Sequence, residues 1–338
     1  MPGIHLPESH SETTLRRLLS FLLFLCACGA LPAHAAETDW PNKPVTVIVA
    51  SAAGGSADVL TRLVLNHLAA ATGANFVVEN RPGAAGGIGM AQIARAKPDG
   101  YTLGYGNINT LAVNPALFNK LPYDAVEDFT VVGRMFNVYN LLVVSADSPV
   151  KSVADLVALA KSKPGALSYG AAGIGSSGHM GGELFKHLAG IDTMFVPYNG
   201  DPASLADLAG GRIDYSFTNA SVAWPLVQGG KLRALAITSA QRVPFFPDLP
   251  TLAESGLAGY ENVSWGGLVF PKGTPDAIVE KLSGALQTVL ASDALRDDLG
   301  KLSARPGEGG REDFARYIAA ERKKWAEVVE AAHIEKQN

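Results

Sequence analysis

Two stretches of small residues and one run of histidine, serine and glutamate hold most of the residues able to do chemistry in this sequence. AAGGSAD (residues 52–58) and AGIGSSGH (residues 172–179) each follow a short apolar run and precede an apolar pattern of helical period. A strand, a glycine loop and a helix N-terminus leave backbone N–H groups free at the positive end of a helix dipole, which is an anion-binding arrangement. An ordinary βα turn, with glycines that only ease packing, is the competing reading of either stretch alone. Two such stretches on two α/β units point instead to a cleft that grips something small and negative.

Other chemistries fit less well. Ser176 and Ser177 lie beside His179, but G-x-S-x-G is absent, and adjacent residues cannot stand as nucleophile and base in triad geometry. These serines are expected to cap a helix and offer hydroxyls to a ligand. His179, Glu183 and His187 recur every fourth residue, yet two helical turns separate the histidines by about 12 Å of rise. They cannot comfortably share one ion, so no metal is expected, and His179 is assigned to a polar pocket wall. GAAGGIGMAQ (residues 83–92) has the glycines of a dinucleotide loop. It follows a loop rather than a strand and lacks the acidic residue that should come about 20 residues later. No phosphate-loop motif occurs, and no cofactor is expected.

These loops need strands and helices to hold them. Residues 45–49 are a β-branched run suited to a buried parallel strand. After them Val59, Leu60, Leu63, Val64 and Leu68 share one helical face. Ser56 is placed to cap that helix, with Asp58 in its first turn. Strands at 76–79 and 101–105 and a helix through AAGGIGMAQIARA complete a βαβαβ lobe, whose ligand edge lies at the strand ends. Residues 137–144 read as a crossover into a second lobe. There Ser152 and Asp155 cap a helix to Ala160, and strands fall at 167–171, 194–198, 213–218 and 232–238. Helices at 178–189 and through PASLADLAGG belong to the same lobe. Residues 244–259 return towards the first lobe, 263–270 form a second crossing strand, and helices at 275–291 and 311–332 close the chain. The expected domains are a signal peptide at 1–35, lobe 1 at 36–137 and 263–338, and lobe 2 at 138–262.

With 338 residues, two substantial cores are possible. The net charge of −4 comes with no basic cluster, so nucleic acid is not an expected partner. Arg16 and Arg17, the apolar run 18–31 and Ala33-His34-Ala35 have the form of a secretory signal cleaved near Ala35. Its apolar core of about 14 residues is shorter than the roughly 20 that span a bilayer. A lipoprotein box at 25–28 fits poorly because Cys26 is bulky. Both cysteines, Cys26 and Cys28, fall inside the signal, so the mature protein is expected to reach the periplasm without disulfides.

Seven segments then carry a resemblance: WPNKPVTVIVASAAGGSAD, VENRPGAAGGIG, PDGYTL, NPALFNKLPYDAVEDF, PGALSYGAAGIGSSGHM, VPYNGDPASLADLAGGRID and LPTLAESG. Together, from Trp40 almost to the C-terminus, they resemble the Bug-type extracytoplasmic solute receptors of tripartite tricarboxylate transporters. The resemblance implies a type II periplasmic-binding-protein fold, an α/β architecture of two lobes joined by two crossing strands with a ligand cleft between them. It implies that a small carboxylate sits on the loop of Ala53, Gly54, Gly55, Ser56 and Asp58. Facing that loop would be Gly175, Ser176, Ser177 and His179, and the turn of Tyr198, Asn199, Gly200 and Asp201. Asn107, Asn109 and Asn219 are expected to add polar contacts, and Trp265 is a weaker candidate for stacking.

The chain departs from the family pattern at Asn199, where a basic residue is usual, and carries Asp201 two residues later. That change disfavours a second ligand carboxylate on the distal wall and suits a hydroxyl, amide, ammonium or ring nitrogen. Asp201 has an equally good alternative role as the cap of its helix. The expected protein is therefore a monomeric receptor rather than an enzyme, with transporter subunits or a sensor kinase as partner. An exported carboxylate-processing enzyme is the alternative from another class.

Overall fold

The computed structural model describes residues 40–338 together with Pro2 and Gly3. The signal-peptide reading, both cysteines and the cleavage site near Ala35 lie outside the described residues. β1 (Val45–Val49) runs parallel to β2 (Phe76–Asn80) and β3 (Thr102–Asn107), which flank it. Its β-branched residues are suited to this central place, buried on both faces. Between β1 and β2, α1 (Ser56–Thr72) packs Leu60, Val64, Leu65 and Leu68 into a core shared with α8 (Asp276–Leu290). A left-handed glycine, Gly73, ends α1. After β2, α2 (Gly87–Ala94) leads back to β3, which continues into a π-helical turn (Ile108–Val113) and the short α3 (Asn114–Leu117).

The strand that joins the lobes is longer than the sequence suggests. β4 (Phe129–Ser145) pairs antiparallel with β9 (Val263–Pro271) from Phe129 to Tyr139, and then with β7 (Tyr215–Asn219) and β8 (Leu232–Ile237). The register shifts near Gly133 and between Arg134 and Phe136. Such bulges break the two-residue alternation that marks a strand in sequence, so only residues 137–144 read as extended. β4 changes partners between Tyr139 and Asn140, at the level where β9 begins. Thr238 clasps both chains there: its N–H and hydroxyl donate to Asn140 O at 3.1 and 3.0 Å, and its hydroxyl also donates to Asn262 O at 2.6 Å.

Lobe 2 is built on β5 (Ser168–Ala171), parallel to both β6 (Met194–Pro197) and β7. α4 (Val153–Ser162) and α5 (Ser177–Ala189) cover one face, and α6 (Asp201–Ala209) and α7 (Ala220–Gln228) the other. Ser152 caps α4 by accepting from the Asp155 N–H, as expected. α7 escapes sequence reading because Pro225 lies inside it. Ala220 and Ala223 bury it, and Trp224 meets Phe246 edge-on at 4.6 Å. α9 (Asp293–Lys301) and β10 (Ala304–Pro306) also went unread. α10 (Arg311–Ala331) lays Phe314, Ile318, Trp325 and Val329 against lobe 1. Trp265 is fully buried in that core and donates its indole N–H to Glu321, so it does not stack on a ligand.

Candidate ligand cleft

A cavity of about 660 Å³ lies between the lobes. Four helical N-termini open on it. Gly55, Ser56 and Ala57 bring α1, and Asn107, Ile108 and Asn109 bring the π-helical turn; Ser176 to Gly178 bring α5, and Gly200 to Ala203 bring α6. Among the described residues, no Lys, Arg or His lines it, and Asp201 is the one acidic residue that does. Any attraction for an anion therefore comes from backbone dipoles and neutral donors.

α1 and α6 both offer N-termini without a side-chain cap; that of α1 keeps both its first N–H groups, whereas α6 has Pro202 in its first turn. The N-cap of α1 is Gly55, not Ser56. The first N–H groups of a helix have no partner within it, so those of Ser56 and Ala57 remain for a ligand. Ser56, freed from capping, accepts a hydrogen bond at 2.8 Å from Ser221 of the opposite lobe.

Twelve of the sixteen residues singled out in the sequence line the cavity: Ala53, Gly55, Ser56, Asn107, Asn109, Ser176, Ser177, Tyr198, Asn199, Gly200, Asp201 and Asn219. The other four, Gly54, Asp58, Gly175 and His179, are not among the lining residues, and they form two equivalent pairs. Asp58, the third residue of α1, accepts from the Gly54 N–H at 2.9 Å. His179, the third residue of α5, accepts at Nδ1 from the Gly175 N–H at 3.1 Å. Each side chain reaches back over its helix end and holds the preceding glycine, and both glycines are left-handed, with φ of 77° and 76°.

The braces are chemically different. Burial opposes the charge on Asp58, but the Gly54 N–H, Asn80 and Arg62 outweigh it and hold the carboxyl below the usual range. Burial pushes His179 down to about 4, against the opposing pull of Glu183. The ring is therefore neutral at physiological pH and lies against Phe195 with centroids 4.1 Å apart. Placing His179 on the pocket wall was thus an error of one layer: its imidazole serves the loop rather than the cavity. Glu183 accepts from Tyr169 and pairs with Lys186.

Asp201 does not cap α6; Gly200 occupies that position and no side-chain cap is made. Its Oδ1 instead accepts from the Thr218 hydroxyl at 2.9 Å. Burial raises its carboxyl to about 6, restrained by hydrogen bonds from Thr218 and Asn219. Asn107 accepts from the Thr110 N–H and hydroxyl, capping the π-helical turn, and Asn109 donates to Ala85 O. Tyr198 donates its hydroxyl to Asp207 at 2.8 Å.

Sequence reasoning missed one wall of the cavity, Pro82 to Gly86. Ala84 and Ala85 have φ of 47° and 51° there, conformations that cost non-glycine residues energy and cluster at functional sites. The available signal is RPGAAGG, a third run of small residues, which in the sequence is weighed as a dinucleotide loop and as the start of a helix. Thr110 and Ser264 were also missed.

The lobes touch around the cavity. Ile174 and Met180 of lobe 2 pack into the lobe 1 core with Ile108, Leu117 and Trp265. A Cβ on Gly175 would come within 2.7 Å of Asn114 Oδ1 of lobe 1, and one on Gly200 within 3.8 Å of the Ala52 Cβ.

Residues 60–334 match the sequence model of the TctC family, described as tripartite tricarboxylate transporter family receptor. The chain belongs to this family. BugT of Bordetella pertussis is 32% identical over 316 residues, covering 93% of this chain and 97% of BugT. A Rhodopseudomonas palustris protein, Rpa4515, solved with adipate, superposes with a TM-score of 0.86 at 39% identity, covering 88% of this chain and all of that one. MatC of the same species, solved with malate, gives 0.81 at 33% identity, covering 86% of this chain and all of MatC. The fold is accordingly that of a periplasmic solute-binding protein of this receptor family, two α/β lobes joined by β4 and β9.

Proposed function

We propose that this receptor captures a small carboxylate in its interlobe cleft outside the cytoplasm and presents the closed form to a tripartite tricarboxylate-type membrane transporter. One observation carries the reading: the cavity is ringed by helix N-termini and, among the described residues, no cationic side chain lines it. Such a lining compensates a compact anion through N–H groups and has no assembled nucleophile and base, which favours capture over turnover. The likeness to proteins solved with adipate and with malate supports the ligand class.

In this reading the carboxylate docks first on the N–H groups of Ser56 and Ala57. Lobe 2, residues 138–262, then closes on lobe 1, residues 36–137 and 263–338, bringing Ser176, Ser177 and the turn at Asn199 and Gly200 to the ligand. Closure bends the chain where Thr238 joins Asn140 and Asn262. It is driven only by the ligand's preference for the closed state. Export by the signal at 1–35 would place the receptor in the periplasm, acting as a monomer.

Native mass spectrometry of the mature protein, followed by a thermal-shift series of small carboxylates, tests this. A co-purified acid, or a rise in Tm that follows RT ln(1 + [L]/Kd) with the acid recovered intact, is the expected result. Consumption of the acid, or no response to any carboxylate, would sink the proposal.

A further inference from the structure

The chain past α10 is turned back onto lobe 1. His333 is left-handed, with φ of 51°, a conformation that costs a non-glycine residue energy. Around it the N–H groups of His333 and Ile334 return to Glu330 O at 3.1 Å and Val329 O at 3.0 Å. The helix is thus closed on its own last carbonyls, and Ile334 and Val329 pack in the same core. Gln337 is brought beside the exit of α3, where Phe118 is extended. A parallel bridge forms there: the Gln337 N–H donates to Leu117 O at 2.8 Å, and the Asn119 N–H donates to Gln337 O at 2.9 Å. The Asn119 side-chain amide donates to Asn338 Oδ1 at 3.0 Å.

Phe118, Gln337 and Asn338 all line the interlobe cavity. Across from them stands the lobe 2 loop before α5. Its Ile174 lines the same cavity, and a Cβ on Gly175 would come within 3.5 Å of Leu117 Cδ2. The Phe118 end of the cavity is therefore bounded by Ile174 on lobe 2 and by residues 337–338 on lobe 1. A segment past its last helix holds a fixed place only where bonds tie it down. Both backbone groups of Gln337 are tied, and both to lobe 1.

We propose that residues 335–338 form a fixed rim at the Phe118 end of the ligand cleft and set the length of the carboxylate that it admits. The inference rests on the proposed receptor function and deepens it. With its carboxylate on the N-terminus of α1, a ligand extends its remaining carbons along the cavity. One long enough to pass Phe118 meets a segment bonded to the α3 exit. A packed boundary yields little, so each further methylene must displace the rim or hold the lobes apart. The family match ends at residue 334, so this boundary lies outside the matched span.

The test is calorimetric titration of the full mature protein, freed of bound ligand, with straight-chain dicarboxylates from succinate to sebacate and monocarboxylates from butyrate to octanoate. For the wild type, affinity should rise with length and then drop by about tenfold or more for one added methylene, the scale of a methylene in a close-fitting pocket. Ending the chain after Ile334 keeps the helix closure and its core contact. That variant should carry the cut-off to longer acids with little change in Tm. Gln337→Pro, which removes the N–H that Leu117 accepts, should do the same without shortening the chain. A wild type that binds acids of every length alike would overturn the inference whether or not the variants fold. So would a cut-off that neither folded variant moves, and both results leave the receptor reading intact. Failure of every acid to bind the wild type would remove the receptor reading itself.

Discussion

The loops at the N-termini of α1 and α5 are built to one plan with different parts. In each, a left-handed glycine precedes the N-cap, and the third helical residue reaches back to accept that glycine's N–H. In lobe 1 the brace is an anionic Asp58 tied to Arg62 and Asn80, and the cap is a bare glycine. In lobe 2 the brace is a neutral imidazole, and Ser176 caps α5 by accepting from the His179 N–H at 3.2 Å. The lobe 1 helix therefore keeps its dipole and N–H groups more open to a ligand, whereas the lobe 2 helix satisfies part of its end internally. In the proposed function the first loop therefore holds the charge and the second closes over it.

Substituting the two N-caps should separate these roles most strongly. Gly55→Val puts a branched side chain at the lobe 1 carboxylate seat. Its φ of −77° admits a side chain, and a Cβ would meet only Ala52 O, at 3.6 Å. We expect carboxylate affinity to fall by about 100-fold or more with little change in Tm. Ser176→Val should mainly cost the cap, about 1 kcal/mol of stability. Equal losses of affinity in the two variants would erase the asymmetry.

The paired glycines give a smaller effect. Alanine at Gly54 or Gly175 is forced into the left-handed region at a cost of roughly 1–2 kcal/mol, so both variants should melt earlier by a similar amount. A Cβ at Gly54 meets nothing within 4 Å, whereas one at Gly175 meets Asn114 across the cleft. Gly175→Ala alone should then weaken ligand binding, by about tenfold, because it obstructs closure. Scattering of the two variants with and without ligand would show whether only one fails to compact.

The smallest effect is in the pH dependence of the unliganded protein. His179 is held near 4, below its ordinary 6.5. Its contribution to stability is complete above 6.5 and is lost as pH falls through about 4. Asp201 is raised to about 6 from 3.8. Its contribution is present below 3.8 and is lost as pH rises through about 6. Between pH 4 and 6 the two oppose each other. Against wild type, His179→Gln should gain a few degrees of Tm on acidification, and Asp201→Asn should gain a few degrees near neutrality. Parallel profiles for all three proteins would show that neither group titrates as its burial implies.

Most elements were legible because their signals are local. Residues 45–49 read as a buried strand, the period of α1 followed, and Ser152 before Asp155 marked the start of α4. What was misread needed partners distant in sequence. β4 hid its first half behind bulges that β9 accommodates, and α7 carries a proline that Phe246 and the lobe 2 core tolerate. At the cleft, residue type could nominate Asp58 and His179 as polar groups near a ligand. It could not say on which side of the loop their side chains would fall.

By itself the sequence determined the strand–glycine–helix units, the family resemblance and the small-residue loops able to admit an anion. Those follow from φ preferences, side-chain size and periodicity, which act over a few residues. Tertiary structure decided which groups face the ligand. Asp58 and His179 turned away from the cavity because each accepts the N–H of the left-handed glycine that precedes its helix. Asp201 does not take the helix-cap role because its carboxyl accepts from the Thr218 hydroxyl of the neighbouring strand.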